Sequence, residues 1–174
     1  MPLVTVIVGS ASDRPIVDKA LEVFRQFKVD FQLKVASAHR DPQRVVRIVK
    51  EAEETGTRVF IAAAGMAAHL AGAVAANTLK PVIGIPVGSG PLKGQDALLS
   101  TVMMPPGIPV ATVAIDAGKN AAWLALEILA LLPDGSGLET ALEEERGRMK
   151  DLLSEAEAQW CSDLEKQNDA AVQD

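Results

Sequence analysis

The feature that most constrains the fold is the opening run LVTVIV, Leu3–Val8, in which five of six residues are β-branched and none is charged. An uncharged, β-branched run without apolar/polar alternation is buried on both faces, as in a parallel sheet. Gly9 ends the run, and Pro15 then opens a segment with Ile16, Val17, Ala20, Leu21, Val23, Phe24 and Phe27 at helical spacing. Strand, loop and helix therefore follow one another within the first 27 residues.

The unit recurs along the chain. Asp30–Ala36 (DFQLKVA) reads as a second strand, and Pro42–Thr55 as a helix with Val45, Val46, Ile48, Val49 and Ala52 inward and Gly56 as its C-terminal cap. Arg58–Ala64 (RVFIAAA) predicts the third strand and Ala67–Asn77 the third helix. Pro81–Val87 (PVIGIPV) and Pro109–Ile115 (PVATVAI) predict the fourth and fifth strands, and Asn120–Leu132 a further helix. Between the last two strands, Asp96 is expected to cap a turn, and Met103 and Met104 to pack, at an interface. Alternating β and α elements imply a parallel sheet with helices on both faces.

Such a sheet takes its ligands at the carboxyl ends of the strands, near a topological switch point. Four loops occupy those ends: GSASD (Gly9–Asp13), SAHRDP (Ser37–Pro42), AAAGMAAHLAG (Ala62–Gly72) and GSGPLKGQD (Gly88–Asp96). Both histidines of the chain lie within them.

Composition narrows the class. With 48% apolar and 23% charged residues the chain has ordinary globular usage. Residues 1–137 hold 13 basic and 12 acidic side chains, whereas residues 138–174 hold 4 and 11, so the acidity belongs to the tail. We expect residues 1–137 to form one α/β substrate-binding and catalytic domain, and residues 138–174 an acidic helical extension. There, Leu142, Met149, Leu152, Leu153, Ala156, Trp160 and Leu164 make an apolar stripe that must meet the domain's flank or a neighbouring subunit. No basic face exists and aromatics amount to 3%, which argues against a nucleic-acid partner. The single Cys161 and the lack of a Cys/His cluster point away from structural disulfides and metal, and no basic leader or membrane-length apolar run is present, so the expected compartment is the cytoplasm and no membrane partner is expected.

The loops divide the chemistry. GSASD follows a strand and opens a helix, where backbone N–H groups and the helix dipole favour an anion; Ser12 or Asp13 can cap the helix there, hold a ligand, or do both. It matches no dinucleotide or Walker fingerprint. SAHRDP offers a titratable imidazole, His39, and a charged bidentate donor, Arg40, with Asp41 as an N-cap before Pro42. Either residue could instead be a solvated surface group. The small residues around Gly65 allow close approach of a ligand or of another backbone, and His69, four residues on, reads as packed more readily than catalytic. These parts suit proton transfer on a small phosphorylated substrate, and equally a phosphate-ligand binding module.

In their order, GSASD, SAHRDP, AAGMAAHLAG, PVIGIPV, DALLSTVMMPPGIPVATVAI and KNAAWLALEIL resemble the bacterial PurE family of N5-carboxyaminoimidazole ribonucleotide mutases over about residues 3–132. The resemblance implies a three-layer α/β/α, flavodoxin-like subunit in a homo-octamer. It also implies a cofactor-free transfer of a carboxylate from N5 of the ribonucleotide to carbon 4 of its imidazole, in purine biosynthesis. On the matching positions, His39 becomes the general acid/base, Ser10, Asp13 and Arg40 bind substrate, with Ser12, Ser37, Ala38 and Gly65 beside them, and His69 lines the site. No metal ligand is implied. Where the family commonly reads G-A-G-G-A-A-H-L-P-G, this chain has Ala63, Met66 and Ala71 at the first, fourth and ninth positions. A related branch carboxylates aminoimidazole ribonucleotide with free CO2 and typically reads A-H-K, where this chain has Arg40; that activity and a non-catalytic ribonucleotide-phosphate binder are the alternatives.

Overall fold

Val4, Val6 and Val8 of the opening run enter one hydrophobic cluster and Ile7 enters another, all nearly or fully buried. Both faces of the strand are thus covered, which is why the run carries no polar alternation. The one polar side chain within it, Thr5, is fully buried and shares a 2.7 Å hydrogen bond with Thr57, while Gln32 Nε2 donates to its hydroxyl at 2.9 Å. Pairing of this kind removes the cost of burying a hydroxyl.

The chain, described over residues 1–171 by a computed structural model, forms five parallel strands: β1 (Val4–Val8), β2 (Phe31–Val35), β3 (Val59–Gly65), β4 (Val82–Val87) and β5 (Ala111–Thr112). Their order is β2-β1-β3-β4-β5, that of a flavodoxin-like sheet. Helices α1 (Arg14–Gln26) and α5 (Gly118–Ala130) cover one face, joined by Leu142 from the long α6 (Ser136–Ala171). Helices α2 (Pro42–Glu54) and α3 (Leu70–Ala75) cover the other. The three-layer α/β/α architecture follows. Fully buried Phe24, Phe60, Ile61 and Leu126 anchor the two cores, each side chain contributing about 1.5–3 kcal/mol by leaving water.

The register sets the site. Val8 lies opposite Val35 on one side and Ala63 on the other, and Gly65 opposite Val87. The carboxyl ends of β1 to β4 therefore finish at nearly one level. Because the chain leaves β1 for β2 on one side and returns to β3 on the other, these ends part at the switch point where open sheets bind ligands.

Several boundaries differ from the sequence expectation. The fifth strand shrinks from Pro109–Ile115 to two residues, because it is an edge strand facing Pro86, which has no N–H to give; pairing resumes only where Asp116 N donates to Pro86 O at 2.9 Å. The third helix begins at Leu70 rather than Ala67, since Met66 takes a left-handed φ of 56° that no helix continues through. An unanticipated helix, α4 (Gln95–Val102), packs Thr101 over Gly84 of β4. Its N-cap is Gly94, and Asp96 sits inside the first turn instead of capping it. Met104 packs against Gly72, while Met103 is exposed. In α6, Leu142 joins the core but Met149, Leu153 and Trp160 are exposed; residues 172–174 of the tail lie outside the described range. Among the described residues no helix is long and apolar enough to cross a membrane.

Candidate active site

A cleft of about 330 Å³ opens over the carboxyl ends of β1, β2, β3 and β4. It gathers every site residue singled out from the sequence: Ser10, Ser12, Asp13, Ser37, Ala38, His39, Arg40, Gly65 and His69. A larger cleft of about 1040 Å³ lies at the opposite ends of β4 and β5, among Leu79, Pro81, Val82 and Ile108, away from both histidines.

The β1 loop is built on Ser10. Its hydroxyl accepts from the backbone N–H of Ser12 at 3.3 Å and from the Ser12 hydroxyl at 2.8 Å, capping the single 3-10 turn Ala11–Asp13. Capping falls to Ser10 and not to Ser12 or Asp13: Asp13 occupies the N-cap position of α1 with no side-chain cap. The Asp13 carboxylate instead accepts from the Ser12 hydroxyl at 3.2 Å and is 7% exposed. Burial raises its pKa above the ordinary value of 3.8, and hydrogen bonds from the Ser12 side chain and the Ser10 backbone pull it back only in part.

That direction fixes a pH dependence. A carboxyl whose folded pKa is raised stabilises the fold fully only below its unfolded pKa, and loses that contribution as pH rises through the folded value. Ionised Asp13 is therefore a cost near neutrality. We expect Asp13→Asn to melt higher than the unaltered protein at pH 7, with the difference closing as pH falls toward about 4. Thermal melts across pH 4–8 check this; a variant less stable at pH 7 contradicts it.

The β2 loop turns on Ser37. Its hydroxyl accepts from Arg40 N at 3.3 Å and its carbonyl from Asp41 N at 2.9 Å, while Asp41 caps α2 by accepting from Arg44 N at 2.9 Å. This tight corner throws His39 and Arg40 outward, where both are exposed. Arg40 reaches across to β1 and donates from one terminal nitrogen to Gly9 O at 3.1 Å. A guanidinium has five donors, so this tether holds the side chain over the GSASD loop with the rest available to a ligand.

The β3 loop brings the second imidazole in. His69 precedes α3 at the N-cap position, with no capping bond, rather than lying inside a helix as its place in the sequence led us to expect. Its ring centroid is 5.4 Å from that of His39, at 44°. The two histidines, 30 residues apart in sequence, thus share one wall.

One residue of the cleft, and the conformation of another, lay beyond the sequence reading. Ser89, on the loop after β4, also lines the cleft; its loop was among the four at strand ends, but nothing in its local sequence distinguishes the residue. Met66 stands where the resemblance has glycine, and its φ of 56° is the left-handed conformation that glycine adopts without penalty. The departure leaves the glycine-type backbone in place and adds a side chain that is 59% exposed at the cleft rim.

Comparison with known proteins identifies the family of the chain. The AIR carboxylase family model matches residues 3–151. The chain is 56% identical over 131 residues to an N5-carboxyaminoimidazole ribonucleotide mutase of Pyrococcus abyssi, covering 75% of each protein. It is 53% identical over 148 residues to one of Methanocaldococcus jannaschii, covering 85% of this chain and 90% of that one. Among solved structures it is similar to a crystal structure of Treponema denticola PurE, with a TM-score of 0.75 at 28% identity over 87% of this chain and 96% of that one.

Proposed function

The chain belongs to the AIR carboxylase family, and from that membership we infer that it is an N5-carboxyaminoimidazole ribonucleotide mutase of purine (IMP) biosynthesis. The observation that carries the reading is the cleft itself: His39, Arg40, Ser10 and Asp13 converge with Gly65 at the switch point of a chain about half identical to proteins of that name.

The reaction is an isomerisation. The bond from N5 to the carboxyl carbon breaks, a bond from carbon 4 to that carbon forms, and one proton moves from carbon 4 to N5. Asp13 is nearly buried within the β1 loop, whereas both imidazoles are exposed in the cleft, and in this reading they are the proton carriers. His39 protonates the departing nitrogen and then accepts the proton of carbon 4, so one group serves both steps. Arg40 and the Ser10–Ser12 loop hold the phosphate of the ribonucleotide. Ala64, Gly65, Ala67 and Ala68 give the cleft a small-residue wall, which keeps CO2 released in transit beside its acceptor carbon.

We read residues 1–137 as the catalytic domain and the rest of the chain as an extension through which subunits meet. The assembly is a homo-octamer in the cytoplasm, taking no cofactor. Exposed Met149, Leu153 and Trp160 on α6 support self-association through that helix.

A product assay tests the activity. With the N5-carboxylated ribonucleotide alone, the protein is expected to form the carbon 4 carboxylate at a rate that added bicarbonate leaves unchanged. Product formed only from aminoimidazole ribonucleotide and bicarbonate identifies a carboxylase instead, and ligand-dependent melting without any product identifies a binding protein.

A further inference from the structure

Ser89 faces the cleft from the loop after β4, and its hydroxyl fills the space where a side chain at position 65 would stand. A Cβ on Gly65 would fall 2.1 Å from Ser89 Oγ and 3.2 Å from Ser89 Cβ. Gly65 does not have a positive φ, so it is room for this hydroxyl, rather than an unusual backbone, that requires glycine there. Among the described residues the hydroxyl makes no hydrogen bond to the protein.

The loop that presents it is fixed. Ser89 N donates to Val87 O at 2.9 Å, and the neighbouring Gly88 N donates to Asp116 Oδ1 at 2.8 Å. Asp116 has a left-handed φ of 59° and gives its own N–H to Pro86 O at 2.9 Å, so both ends of the pairing are tied to β4. Met66 lies against Gly90 on the cleft side of the same loop. A donor held in place and left unpaired is what a site needs where charge moves, because no reorganisation is required when the ligand arrives.

On the mutase reading, we propose that Ser89 is a substrate-contacting residue whose hydroxyl donates a hydrogen bond to the carboxylate in transit between N5 and carbon 4. Its surroundings choose that group over the phosphate. Around Gly65 the wall is Ala64, Ala67 and Ala68, without a cation, whereas the one arginine of the cleft is tethered to Gly9 at the end of β1. A phosphate dianion calls for that charge; a carboxyl group or CO2 needs only small residues and a neutral donor. Ser89 exchanges no proton in the step, which passes from carbon 4 to N5 through His39.

The test compares unaltered protein with Ser89→Ala, Gly65→Ala and the double variant on the N5-carboxylated substrate. Ser89→Ala is expected to lower kcat about 10- to 100-fold, as for a lost hydrogen bond to a charged group, and to raise the share of substrate released as aminoimidazole ribonucleotide. Gly65→Ala pushes the hydroxyl aside, so it should reproduce both effects, and the double variant should be no slower than the slower single one. An active protein whose Ser89→Ala form keeps kcat within twofold, or shows only a raised KM without leakage, overturns the role of Ser89 alone. Absence of product from the unaltered protein overturns the mutase reading and this proposal together.

Discussion

Replacing His39 with asparagine should lower kcat on the N5-carboxylated substrate by about 10²- to 10⁴-fold, the range for removal of a general acid/base, while the substrate dissociation constant changes only a few-fold. Asparagine keeps much of the shape and one donor but carries no titratable proton. The side chain is exposed on the corner between β2 and α2 and bonds to no core group, so the melting temperature should stay near that of the unaltered protein, as for most surface substitutions. That separation makes the experiment decisive: a folded variant that still binds ligand has lost chemistry alone. His69→Asn should cost less, because His69 meets His39 ring to ring at 5.4 Å and in this reading lines the site without carrying the proton. Single-turnover kinetics with parallel calorimetry check both, and near wild-type turnover by His39→Asn would sink the mechanism.

The reach of the sequence can be traced through particular residues. β1, β3 and β4 were legible because burial on both faces makes them continuously apolar, β2 showed by its alternation, and the loops at the strand ends could then be searched by rule; the nine residues that this search and the family resemblance named together share one cleft. The fifth strand was overdrawn because an edge strand beside a proline has apolar residues without a full ladder. α4 escaped notice because it buries only Ala97 and Thr101 while Leu99 and Val102 are exposed, so its apolar residues trace no helical stripe. The third helix was drawn too early because alanines favour helix, and only the backbone angle at Met66 reveals that the chain turns first. Ser89 was hidden for another reason. Its signal is a fit against Gly65 on the neighbouring strand, 24 positions away, and spacing along one chain segment contains no trace of it.

The same kind of hidden fit underlies the largest expected change in stability. Gly118 opens α5 with an ordinary backbone, so its sequence context, DAGKN, suggests nothing beyond a turn before a helix. In the folded chain a Cβ there would lie 2.1 Å from the carbonyl oxygen of Ile16 and 3.2 Å from its carbonyl carbon, both backbone atoms of α1. A side-chain end can swing away from such a clash, but a helix backbone cannot, and relief requires α1 and α5 to separate. Those helices carry Val17, Ala20, Leu21, Phe24, Ala121, Ala122 and Ala125 into one core against the sheet, so the separation would open the best-buried region of the molecule. We expect Gly118→Ala to cost about 3 kcal/mol, the upper part of the usual range for overpacking, which for a domain of this size lowers the melting temperature by roughly 6–12 °C. Gly147, inside α6 with nothing within 4 Å of a built Cβ, is the matched control. There the same substitution adds a better helix former to an open surface and should raise stability by about 0.5–1 kcal/mol. Denaturant titration of the two variants side by side distinguishes a close backbone contact from a general intolerance of Gly→Ala changes: opposite signs are expected, and a Gly118→Ala midpoint within error of the unaltered protein would mean that α1 and α5 do not pack at this distance.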